Sequence, residues 1–133
     1  MFLSYRQRIS QCNSIRYATS CGLLALEYMN LRDKAESPEK KRLEEERIGN
    51  LTPNFEEVCE YFIKGKPMGG LSDPESIFGN LLNVDDLRKG YERVHKGFEE
   101  ANNNPKKREE TKKELEKLLF EMGIAAERLL QAL

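Results

Sequence analysis

Tryptophan is absent from this chain of 133 residues, histidine occurs once and cysteine three times. Cys12, Cys21 and Cys59 form no C-x-x-C pair, and an odd, widely spaced set argues against a disulfide framework and against a zinc centre. His95 is the one imidazole available for acid–base work near neutral pH. Long apolar runs are also missing. The longest uncharged, mostly apolar stretch is CGLLAL at 21–26, far short of the roughly 20 residues that cross a bilayer. Net charge is nearly absent, with 22 basic residues against 23 acidic ones, so no global field draws the protein to nucleic acid or to an anionic membrane.

Acidic residues are missing from one end in particular. Glu27 is the first acid of the chain. Residues 1–34 carry Arg6, Arg8, Arg16, Arg32 and Lys34 against Glu27 and Asp33, a net of +3, whereas residues 35–63 have a net of −4. An acid-free, Arg- and Ser-rich start points to a mitochondrial address, with a cytoplasmic location as the alternative, and residues 1–17 are a candidate targeting or peripheral segment. Within it, SYRQRI at 4–9 partly resembles the Leu-Tyr-Arg start of small helical mitochondrial assembly factors. Ser4 stands in the leucine position and the likeness ends there, so it implies no function.

What is present is helical pattern. Leu115, Leu118, Met122, Ala125, Leu129 and Leu133 recur at helical spacing, with Leu119, Ala126 and Leu130 widening the stripe, and Asn104–Pro105 offers a cap and first turn. This predicts a helix over about 105–132. Val84, Leu87, Tyr91, Val94, Phe98 and Ala101 predict another, capped by Asn83, and the short NNNP turn between them predicts an antiparallel hairpin. Thr52–Pro53 reads as the start of a helix burying Phe55, Val58, Cys59 and Phe62. Residues 73–82 read as a short helix capped by Ser72 and Glu75. The charged stretch at 35–50 reads as a solvated connector helix or a poorly ordered arm. In the N-terminal third, Arg16 falls on the apolar seam of Phe2, Tyr5, Ile9 and Cys12, which predicts a kink near 13–16 or two segments with different fates. No strand alternation is visible. The expected architecture is all-α, a single-domain helical bundle of five to six helices over 1–133, ending in a long antiparallel helical hairpin.

Candidate sites are few. KGKPMGGLSDPE at 64–75 has glycines and lysines, but its glycines are followed by Ser-Asp-Pro-Glu rather than Gly-Lys-Ser/Thr, and two carboxylates would repel a phosphate. It reads as a link between helices. KGYE at 89–92 and KGFE at 96–99 repeat one heptad apart, and each helix-interior glycine costs about 1 kcal/mol, so a close approach must compensate. Ser14, Ala18, Gly22 and Ala25 make a similar small-residue flank on the first helix. Ala18, Gly22, Gly90, Tyr91, Gly97 and Phe98 are the candidate interaction residues, in competition with packing inside the bundle. The cations at 105–109 read as a solvated, salt-bridged helix start. No constellation of nucleophile, base and oxyanion donors is evident, and no catalytic, metal or cofactor residues are assigned.

The expected function is therefore a non-enzymatic helical interaction protein, a small accessory or scaffolding subunit of a larger protein assembly, acting as an oligomer or hetero-complex. The alternative is a nucleic-acid-associated small subunit of a ribonucleoprotein, which requires the five N-terminal cations to share one face.

Overall fold

The computed structural model describes residues 2–133, and among the described residues the chain is all-helical. Five helices follow in order: α1 (Tyr5–Asp33), α2 (Pro38–Lys64), α3 (Pro74–Phe78), α4 (Val84–Ala101) and α5 (Pro105–Gln131). Each starts where the sequence supplies an acceptor for its free N–H groups. Ser4 and Gln7 form a reciprocal capping box at α1, with hydrogen bonds of 3.1 and 2.9 Å, so the residues that resemble an assembly-factor start are a helix cap. Ser37, Asp73, Asn83 and Asn104 cap the others, three of them followed by proline at the first helical position.

Several expectations change. α1 runs unbroken through Asn13–Arg16, because Arg16 does not enter the core: its guanidinium passes beside Gly123, and Nη1 donates to Asn13 at 3.3 Å. Pro53 lies inside α2 rather than at a helix start, so the charged stretch and the helix after it are one element. The carbonyl four residues before it belongs to Gly49, which presents no side chain, and the Thr52 hydroxyl donates to the Ile48 carbonyl at 2.7 Å. α3 is short, capped by Asp73 instead of Ser72, and stopped at Gly79, whose positive φ of 58° ends the turn. Ser72 instead receives the Tyr61 hydroxyl on its carbonyl and donates its N–H to Gln11 at 2.7 Å.

The four long helices form an up-and-down bundle. α1 packs on α2 and α5, and α4 packs on the same two, so α1 and α4 are diagonal. Contacts fix the directions: Phe55 meets Phe98 and Phe62 meets Tyr91 between α2 and α4, while Arg108 reaches Asp33 and Cys12 donates to the Met122 carbonyl between α1 and α5. α4 and α5 make the expected hairpin. Tyr91 is the meeting point. Fully buried, it stacks on Phe62 at 4.2 Å, shares a 2.6 Å hydrogen bond with Thr19 and points its hydroxyl at the Met122 sulfur, touching all three other long helices. At one end, Arg8 holds the α3 segment through the Ile77 carbonyl at 2.7 Å, and Phe78 plugs the core.

Candidate functional site

The inner positions of α1 are Cys12, Ile15, Thr19, Gly22, Leu26 and Met29, which face the bundle centre at helical spacing. The outer stripe of the same helix is Ser10, Asn13, Ser14, Tyr17, Ser20 and Leu24, all exposed and all uncharged. Exposed helix surface in a chain that is 34% charged is ordinarily charged. This stripe is not.

Along its first half lies an open groove of about 800 Å³. α1 supplies the floor from Arg6 to Ala18, α2 supplies Asn54 and Glu57, the loop after α2 supplies Met68, and the end of α5 supplies Leu130 and Leu133. Antiparallel pairing places these parts: Gly22 lies on Phe55, and Asn54 is 3.8 Å from the Cys21 sulfur, so Glu57 comes level with about Ala18. Tyr17 is 68% exposed, Leu130 55% and Leu133 62%, so the rim offers apolar surface to solvent. Its charges sit apart. Arg6 is at the amino end and Glu57 lies further along, and among the described residues neither makes an ion pair.

Of the residues expected to face a partner, only Ala18 borders this groove, and its side chain is itself buried in the core. The others are met by the chain itself. A Cβ on Gly22 would come within 2.5 Å of the Phe55 ring, and one on Gly90 within 2.8 Å of Leu118. Gly97 lies against the Thr111 hydroxyl, while Tyr91 and Phe98 are buried. The repeated glycines thus serve close packing of α4 on α5, and Gly22 serves α1 on α2. Leu130 and Leu133 go the other way: expected within the apolar stripe of α5, they are exposed, because the helix outlasts the surface it packs on.

The basic residues are similarly redistributed. Arg108 is buried, not solvated, and donates to Asp33 at 2.8 Å, to Asn30 at 2.9 Å and to the carbonyls of Ala101 and Asn102. Burial pulls the Asp33 carboxyl upward, but the hydrogen bonds and charges of Arg108 and Arg32 outweigh it and hold the group below its usual value. Arg32 also grips Asn102, Arg8 holds Ile77, and Arg16 turns toward α5. Three of the five cations that a nucleic-acid face would have to share are therefore engaged within the fold.

His95 sits on the far side, in a depression of about 230 Å³ with Glu60, Glu99 and Cys59. Desolvation, with help from Glu56 and Glu60, pushes the Cys59 thiol strongly up, which keeps it neutral and a poor nucleophile or ligand at neutral pH. Cys12 is likewise raised to about 11 by burial, only partly offset by Arg16. Glu60 is tied to Lys66 at 2.7 Å. Among the described residues, no group of three or more His, Cys, Asp or Glu side chains is placed to hold a metal ion. No described helix is long and apolar enough to cross a membrane.

Compared with known proteins, the chain matches no protein family, no curated protein and no solved structure.

Proposed function

We propose that this chain is a non-enzymatic helical interaction protein, an accessory or scaffolding subunit of a larger protein assembly, and that it docks through the outer face of α1. One observation carries this reading: between Arg6 at one end and Glu57 at the other, the groove along α1 is lined by uncharged residues, with Tyr17, Leu130 and Leu133 exposed at its rim, whereas the other outward helix faces are covered with charge. Apolar surface gathered in one concave place is the mark of a contact face. Small residues support it further, since the exposed Ser10 and Ser14 let an incoming helix approach the α1 backbone. The acid-free N-terminal stretch supports a mitochondrial address for the assembly.

A photo-crosslinking amino acid placed at Ser14, in cells of the source organism, tests the reading against the same probe at Lys113 on the charged face of α5. Discrete adducts of fixed mass from Ser14 alone are expected. Equal labelling from both positions, or none from Ser14, overturns it.

A further inference from the structure

Resting on that reading, we infer that the occupant of the groove is a second copy of this chain, with α1 packed antiparallel on α1 about a two-fold axis. The charges argue for it first. Arg6 and Glu57 lie on one groove, unpaired within the chain, with Glu57 level with about Ala18. At 1.5 Å rise per residue, the two are separated by about 18 Å along α1. A copy turned end for end sets its Glu57 against Arg6 and its Arg6 against Glu57. Both orphaned charges are answered by one rotation, as an isologous contact requires. A foreign helix needs charges of its own to do this, whereas a second copy already has them.

The centre of the groove fits the same operation. Midway between Arg6 and the level of Glu57 falls residue 12, and the outward side chains around it are Ser10, Asn13 and Ser14. Serines at successive helical turns permit the two backbones to come close where the helices cross. An asparagine amide both donates and accepts, so Asn13 near the axis can pair with its own symmetry mate. On either side of the crossing, Tyr17, Leu130 and Leu133 lose their exposure. The uncharged stripe, the small residues and the two lone charges thus have one common explanation.

Sedimentation equilibrium and light scattering across a concentration series test this on the purified chain. The expected result is twice the chain mass. Arg6→Glu alone, or Glu57→Arg alone, puts like charges together at both ends and weakens dimerisation by about tenfold or more, while the double exchange R6E/E57R restores it. All these positions are exposed, and circular dichroism verifies that each variant remains folded. Ser14→Cys adds an independent measurement: oxidation yields a covalent dimer only if the two copies of this position approach closely, and the native thiols are buried. A monomer at every concentration overturns the inference, as does a dimer indifferent to the charge exchanges. If the purified chain is monomeric while Ser14 crosslinks to another polypeptide in cells, the docking face stands and the second copy falls. If Ser14 crosslinks to nothing, both fall.

Discussion

The outer face of α1 and the outer faces of the α4–α5 hairpin have the same solvent to meet, yet they are built from different residues. On the hairpin, Arg93 pairs with Glu114 at 3.6 Å, Lys107 bridges Glu100 and Glu110, and Arg88 holds Asp85. Its one strongly exposed aromatic, Phe120, stands between Glu116, Lys117 and Glu121. On α1, no acid appears before Glu27, and the exposed stripe from Ser10 to Leu24 has no charge at all. Surface ion pairs add little stability, about 0–1 kcal/mol each, so the hairpin's charge is better understood as solvation. The contrast sets the outer face of α1 apart from the solvated faces of the hairpin, and the proposed docking rests on that difference.

That contrast leads to measurements. Phe55→Ala, which empties the fully buried site where α1, α2 and α4 meet, is expected to cost about 3–5 kcal/mol in chemical denaturation. Leu130→Ala, on the groove rim, should change stability by less than about 0.5 kcal/mol while weakening association. A large loss of stability from Leu130→Ala would mean that the outer face is structural after all. Next comes Gly22→Ala, expected to cost about 1–3 kcal/mol, since a methyl group there overlaps the enclosed Phe55 ring. Arg108→Ala should cost about 1–2 kcal/mol because the buried guanidinium's hydrogen bonds to Asp33, Asn30 and two carbonyls are lost, while Arg32 still reaches Asp33 and the Asn102 carbonyl. The smallest effect is acid sensitivity. Asp33 is held below its ordinary value of 3.8, so its contribution is complete above that pH and is lost as pH falls through the lower folded value. The difference in melting temperature between the wild type and Asp33→Asn should therefore narrow between neutral pH and about pH 3.

The hairpin was legible because its signals agree: caps at Asn83 and Asn104, a proline at the first turn of α5, and apolar residues at helical spacing. α2 was not, because Thr52–Pro53 has the form of a helix start, and only tertiary packing decides whether the chain already entered as helix. Arg16 misled in the same manner. Its place on an apolar seam implies a kink, but a long side chain can leave the seam by lying across a glycine of the neighbouring helix. For the groove, Ser14 and Ala18 are visible in the sequence as small residues in a row, but the missing early acids read as an address rather than as a face. Asn54, Glu57 and Met68 could not be foreseen, since they are brought to α1 by antiparallel pairing and by the path of the loop. Arg108 was hidden in a charged run behind Lys106 and Lys107, and its partner Asp33 lies in another helix.

The proline within α2 also bears on how the molecule breathes. Past it, Phe55, Val58, Cys59 and Phe62 anchor the helix in the core, whereas residues 38–50 are exposed apart from Glu44 and Ile48. One ladder amide is missing at the junction between these halves. Deuterium should therefore enter the amides of 40–51 through a partial opening that leaves the rest of the bundle closed, making this half-helix a separately melting unit.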